Sequence, residues 1–134
     1  MIQEATDFWL RALQAFATGK KIASSDPDAA SSRAYYSAFY AVSGLFSSEG
    51  KAFTRHSGIE TAVHRDLVKA NRWPQELGKD YAFLIRLRST GDYGGHMHVT
   101  HEEALDAIHV TERILAAVHQ ENPQLFPLST DKIS

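Results

Sequence analysis

The chain has 134 residues, of which 43% are hydrophobic and 22% charged, a balance typical of one globular domain. Its 14 Lys and Arg face 16 Asp and Glu, and the formal net charge of −2 excludes a strongly basic nucleic-acid binder, so any phosphate site must be a local patch. The chain has no cysteine, no signal peptide and no stretch near the roughly 18 apolar residues of a membrane span, so we expect a cytoplasmic protein without a membrane partner.

Five helices and no strand are predicted in chain order. The first runs from about residue 4 to 22 and carries one apolar face. Asp26 and Pro27 have the residue types of an N-cap and a first helical position. They predict a second helix that continues to about Ser47.

The third and fourth helices are predicted from a capping pattern and from proline and glycine residues that mark helix ends. Ser57–Glu60 has the spacing of a capping box and predicts the start of a short third helix. Pro74 lies near the predicted start of the fourth helix, and Gly91, Gly94 and Gly95 are expected to end it.

A second capping box, Thr100–Glu103, predicts the start of the fifth helix, which Pro123 should terminate. We therefore predict an all-α antiparallel bundle of about five helices, four long and one short. Residues 1–122 would form a single helical domain, and residues 123–134 a loosely held C-terminal tail.

Several ionisable side chains that could bind a ligand or take part in catalysis lie around the glycine-rich turn after the fourth helix. Arg88 continues the apolar line of that helix, so its charge must be paired or must face a cleft or partner. A guanidinium can hold a phosphate by two hydrogen bonds, and His96 is an acid–base candidate. Together with Asp92 and Tyr93, these residues are the candidate catalytic group for metal-free RNA cleavage. The alternative is an ion pair between Arg88 and Asp92 beside a solvated loop.

A second candidate group would bind RNA or a nucleotide. Arg33, Tyr36 and Tyr40 share one line of the second helix, where tyrosines can stack on bases beside an arginine. The alternative for the two tyrosines is core or dimer interface. His56, just before the third helix, joins this group with its role open.

A metal site is the third possibility. His96, His98 and His101 form an H-x-H-x-x-H pattern that can ligate zinc or nickel. The helix boundary within the pattern leaves its geometry undefined, so our main expectation is a protein without metal or cofactor.

Four segments in the right order resemble the HEPN domain family over roughly residues 5 to 120. They are Ser32–Ala41, His56–Gly58, Leu87–Tyr93 and the threonine-capped last helix with Glu102, Glu103 and Ala104. The resemblance implies a helical bundle that often dimerises.

The same resemblance implies a function. Many HEPN proteins are metal-independent ribonucleases, and some are toxins paired with a nucleotidyltransferase-type antitoxin. Their active motif is Arg, four to six residues, then His; here four residues separate Arg88 from Tyr93, whereas His96 lies farther on. The first hypothesis is therefore a homodimeric HEPN protein that engages RNA or a nucleotide through a cleft near Arg88. If it is an enzyme, the resemblance implies a metal-independent endoribonuclease toxin of a toxin–antitoxin or defence system. Its rivals are a non-catalytic module that binds a nucleotidyltransferase-type partner and, more weakly, a metal-binding helical protein.

Overall fold

A computed structural model describes residues 2–128, and these residues form a bundle of five helices without a strand. The elements are α1 (Ile2–Ile22), α2 (Pro27–Ser48), α3 (His56–Ala62, continued by a π-helical segment, Val63–Val68), α4 (Gln75–Tyr93) and α5 (His101–Glu121). The predicted all-α bundle with four long helices and one short helix is confirmed. In this part of the chain no helix combines the length and the apolar character needed to cross a bilayer.

Two of the predicted helix starts have the expected caps. The Asp26 carboxylate accepts a hydrogen bond from the Ala29 N–H at 3.1 Å, and Pro27 occupies the first position of α2. Thr100 and Glu103 form a reciprocal capping box at the start of α5, in which each backbone N–H donates to the other residue's side chain at 3.0 Å. These caps satisfy N–H groups that have no partner within the helix.

At two other boundaries the structure differs from the prediction in detail. Helix α3 begins at His56 with Arg55 as its N-cap, so Ser57 lies inside the first turn and forms no capping box. Helix α4 passes through Gly91 and ends at Tyr93, with Gly94 as its C-cap. Gly91 serves close packing, because a Cβ atom there would lie 2.7 Å from the Asp28 carbonyl oxygen of α2. In the sequence, this glycine indicates the end of a helix, whereas in the structure it allows α4 to pack closely against α2.

Helix α2 is the central element and contacts α1, α4 and α5. Alanines at its buried face let these helices approach closely: Ala30, Ala34, Ala38 and Ala41 are fully buried. Side-chain hydroxyls tie neighbouring helices together, as Ser37 donates to the Ala12 carbonyl at 2.7 Å and Thr111 donates to the Ala34 carbonyl at 3.1 Å. The opposite face of α2 remains partly open beside α3 and α4.

The described part of the C-terminal tail is anchored on α1, although the sequence predicts loose attachment. Phe126 is fully buried, and its ring centroid lies 5.4 Å from that of Trp9. The Trp9 indole N–H donates to the Pro127 carbonyl at 2.6 Å. Burial of an aromatic ring outweighs the polar composition of the segment. The rest of the tail, residues 129–134, lies outside the described residues.

Candidate functional site

Arg88 lies at the partly open face of α2 with its charge paired but accessible. Its Nε donates to the Asp92 carboxylate at 3.1 Å, and one Nη donates to the Tyr36 hydroxyl at 3.0 Å. Its side chain is 23% exposed. The predicted ion pair therefore forms, and it leaves part of the guanidinium open to solvent. An anion can reach this guanidinium without unfolding the helix end.

Three tyrosine rings surround the guanidinium. The Cζ atom of Arg88 lies 5.2, 5.4 and 5.6 Å from the ring centroids of Tyr35, Tyr36 and Tyr93, distances that permit cation–π attraction. Burial would lower the pKa of Arg88, but the neighbouring Tyr36, Tyr93 and Asp92 raise it above its ordinary value. The residue is thus a permanent cation held in one position.

His56, the first residue of α3, packs against the same aromatic cluster while part of its side chain stays exposed to solvent. Its ring stacks on Phe39 with centroids 4.1 Å apart, and its Nδ1 lies 2.9 Å from the Tyr35 hydroxyl. Burial and then the positive charge of Arg88 lower the pKa of His56. The imidazole is consequently neutral at pH 7, and its Nε2 makes no hydrogen bond within residues 2–128.

Tyr35 orients this histidine. Burial raises the pKa of Tyr35 to about 12, although Arg88 acts in the opposite direction. Its hydroxyl therefore keeps its proton at neutral pH, and its oxygen can accept a hydrogen bond from the Nδ1–H of His56. That hydrogen bond would place the imidazole lone pair on Nε2, the nitrogen that is left open.

The predicted catalytic residues do not all converge. Asp92 and Tyr93 accompany Arg88, and Asp92 also accepts a hydrogen bond from Ser32 at 3.4 Å. Tyr93 is 72% exposed. His96 is exposed on the turn after α4 and makes no hydrogen bond within the described chain. The structure thus gathers three of the four residues and leaves His96 apart from them.

The predicted binding residues form a line that continues from Arg88. The Arg33 guanidinium lies 5.2 Å from the Tyr36 ring centroid, and the rings of Tyr36 and Tyr40 are 5.9 Å apart. Both tyrosines are half-buried. Each ring packs against the core and keeps part of its surface open to solvent.

One of the three histidines of the metal pattern binds a carboxylate of α2. His98 Nδ1 lies 2.7 Å from the Asp28 carboxylate, whose other oxygen accepts a hydrogen bond from the Val99 N–H at 2.7 Å. Burial would raise the pKa of Asp28, but these two partners lower it. Within residues 2–128 no three His, Asp or Glu side chains converge on one point. The described residues therefore give the metal hypothesis for His96, His98 and His101 no support, and His98 connects the turn after α4 to Asp28 of α2.

Several residues of the site were missed by sequence reasoning. Ser32, Tyr35 and Phe39 were not predicted from the sequence as site residues. A signal was present, because Ser32, Tyr36 and Phe39 follow the i, i+4, i+7 spacing of one helix face. Arg11 on α1, 6.0 Å from the Tyr40 ring, was missed as well.

Known proteins resemble this chain at the level of sequence. A UPF0332 protein from Thermotoga maritima is 39% identical over 88 residues, which cover 66% of this chain and 67% of the relative. A protein from Methanocaldococcus jannaschii named "putative toxin" is 32% identical over 82 residues, covering 61% of this chain and 56% of the relative. A UPF0332 protein from Gloeobacter violaceus is 32% identical over 78 residues, covering 58% and 62%.

These alignments span a little over half to two thirds of each relative. The family model for the HEPN domain matches residues 1–122, nearly the whole helical bundle together with the segments that carry Arg88 and His56. The chain belongs to the HEPN domain family.

Proposed function

We propose that this HEPN protein binds RNA at the face around Arg88 and cleaves it without a metal ion. The proposal rests on one observation: the accessible cation of Arg88 and the neutral imidazole of His56 occupy the same aromatic cluster. A fixed cation and a base with a free nitrogen are the two groups that phosphodiester cleavage by an internal hydroxyl requires.

The chemistry balances with these groups. The Nε2 atom of His56 takes the proton of the ribose 2′-hydroxyl, and the oxygen attacks the adjacent phosphorus. The bond from phosphorus to the 5′-oxygen breaks, and that oxygen takes a proton from solvent. The products are a 2′,3′-cyclic phosphate and a 5′-hydroxyl. Arg88 stabilises the charge that accumulates on the phosphate oxygens, and the Tyr93 hydroxyl donates a hydrogen bond to one of them.

His56 replaces His96 as the base in this proposal because of position. Tyr93 stands where the family motif has its histidine, and a phenol hydroxyl serves as a hydrogen-bond donor rather than as a general base. His56 reaches the cluster from a different helix and stacks on its rings. The imidazole is thus supplied by α3 and the cation by α4.

The biological role that we propose rests on the similarity to a relative named as a toxin. The name of the Methanocaldococcus relative supports a toxin role. A toxin of this family would act as a homodimer and would be held inactive by a nucleotidyltransferase-type antitoxin.

The test is cleavage of a labelled RNA by the purified protein in excess EDTA. Arg88→Ala should reduce the rate by about 10²- to 10³-fold, the usual effect of removing one group that stabilises transition-state charge. Arg86→Ala is the matched control, because Arg86 is an exposed arginine of the same helix that contacts Phe83 instead. Circular dichroism of both variants verifies the helical fold.

Two results would contradict the proposal. If the wild type and Arg88→Ala cleave at the same rate, the cleavage does not come from this site. If the wild type binds RNA at the Arg88 face but leaves it intact, the protein is the non-catalytic binding module.

A further inference from the structure

A groove between α1 and α2 lies beside the Arg88 face. It encloses about 410 Å³ and is lined by Arg11, Gln14, Ala15, Thr18, Arg33 and Tyr40. Five of these six side chains are polar or aromatic, and only the buried Ala15 forms an apolar floor. This composition suits a polar ligand rather than an apolar one.

The charge of the groove is positive and uncompensated. Neither Arg11 nor Arg33 has a carboxylate within salt-bridge distance among residues 2–128, in contrast to Arg88, which is paired with Asp92. Arg11 lies against the Tyr40 ring at 6.0 Å and Arg33 against the Tyr36 ring at 5.2 Å. In a chain with a net charge of −2, two unpaired guanidiniums on one groove form a local anion site.

The groove is continuous with the Arg88 face. Tyr36 contacts Arg88 as well as Arg33, and its ring lies 5.9 Å from that of Tyr40. A strand with its phosphate at Arg88 therefore meets successive guanidiniums and aromatic rings as it passes from α4 towards α1. Alternating cations and rings are the usual surface for a single strand of nucleic acid.

We infer that the α1–α2 groove binds the nucleotide next to the phosphate at Arg88, and that the substrate is single-stranded RNA. Arg11 and Arg33 contact its phosphates, the base packs beside Tyr40, and Gln14 and Thr18 offer donors and acceptors to the base edge. A duplex cannot occupy the groove in this way, because its bases are paired and stacked inside the helix. The inference rests on the proposed function and adds the strandedness of the substrate.

The experiment measures equilibrium binding by fluorescence anisotropy. The probe is a single-stranded 2′-O-methyl RNA of about eight nucleotides, within the usual range for such surfaces, and it lacks the 2′-hydroxyl needed for cleavage. The variant is Arg11→Gln with Arg33→Gln. The control is Lys79→Gln with Arg86→Gln, which removes two charges from exposed positions of α4. Competitors are the same strand in a duplex and a 5′-mononucleotide.

The groove variant should bind the single strand at least tenfold more weakly than the wild type. For this variant, the slope of log K against log salt concentration should be shallower by about 1.4, because each phosphate contact to a single strand contributes about 0.7 to the slope. The control variant should retain the wild-type affinity and slope. Both competitors should displace the probe poorly.

The outcomes separate the two proposals. If the wild type binds no RNA, the proposed function is overturned and the groove assignment with it. If Arg88→Ala weakens binding while the groove variant matches its control, only the groove assignment is overturned. Equal competition by the duplex would overturn single-strand selectivity, and equal competition by the mononucleotide would overturn an RNA path through the groove.

Discussion

The guanidinium of Arg88 and the imidazole of His56 pack against the same two tyrosine rings. Arg88 lies 5.2 and 5.4 Å from the centroids of Tyr35 and Tyr36, and His56 lies 5.9 and 5.8 Å from them. The two side chains come from α4 and α3, and α2 supplies the rings between them. Partial burial and then the positive charge of Arg88 lower the pKa of His56, and the contribution of the charge is open to direct measurement.

Removing the charge of Arg88 should raise the pKa of His56. In Arg88→Gln the repulsion disappears while burial remains, so the pKa should move up towards the ordinary value of about 6.5 without passing it. The titration of the His56 ring protons by NMR measures this shift. Arg86→Gln should leave it unchanged. An unchanged His56 pKa in Arg88→Gln would mean that the two groups are not coupled.

Tyr35→Phe should remove the hydrogen bond that holds the His56 imidazole in place. Loss of the hydrogen bond to His56 should lower the free energy of unfolding by about 0.5 to 1.5 kcal/mol. Because Tyr35 is a positioning residue, the pH profile of RNA cleavage should shift as well. The same substitution in a His56→Ala background should cost less stability. Equal costs in both backgrounds would show that the hydrogen bond does not contribute.

His56 should make stability depend on pH. The folded state has the lower pKa, so it binds protons less readily than the unfolded state. Its contribution is fully present above about pH 6.5, the ordinary value, and is lost as the pH falls through the lower folded value. Urea unfolding at pH 7.5 and pH 5.5 should show a larger loss for the wild type than for His56→Asn. Identical losses would contradict the lowered pKa.

Gly91→Ala should destabilise the protein although alanine is the better helix former. The new Cβ would meet the Asp28 carbonyl oxygen at 2.7 Å and the Ser31 hydroxyl at 2.8 Å. The overlap should cost about 1 to 3 kcal/mol, as overpacking usually does. Ser89→Ala, at an exposed position of the same helix, is the control. A thermal midpoint at or above that of the wild type would show that α2 and α4 separate freely.

Phe126→Ala should unfold the described part of the tail and weaken the whole bundle. A fully buried phenylalanine against Trp9 should contribute about 3 to 5 kcal/mol to the free energy of unfolding. Leu128→Ala, at a position that is 54% exposed, should change it by less than about 0.5 kcal/mol. Similar small effects for both substitutions would mean that the tail is dispensable for stability.

Local signals in the sequence predicted the elements of this fold well. The N-cap at Asp26 and the capping box from Thr100 to Glu103 depend on atoms three residues apart, so the spacing of residue types is sufficient to identify them. Glycine was misread at position 91, because its role depends on α2 lying against it. A glycine, which has no side chain, can permit a turn at one position and a close contact between two helices at another.

The candidate site was partly predictable for the same reason. Arg88 interrupts an apolar line, and Asp92 lies one turn away, so both the special position of the charge and its ion pair follow from helical periodicity. The histidine that joins Arg88 does not follow from proximity in sequence. His96 is close along the chain yet exposed, whereas His56 is distant along the chain and stacks beside the cluster.

The sequence alone determined five helices, their family resemblance and an arginine that could not be an ordinary surface charge, because these depend on composition and on spacing within single helices. Tertiary packing decided that His56 rather than His96 faces Arg88, that Phe126 is core, and that α1 and α2 leave a cationic groove between them. Those features require separate helices to meet, and the distances between helices are set by how their side chains fill space together.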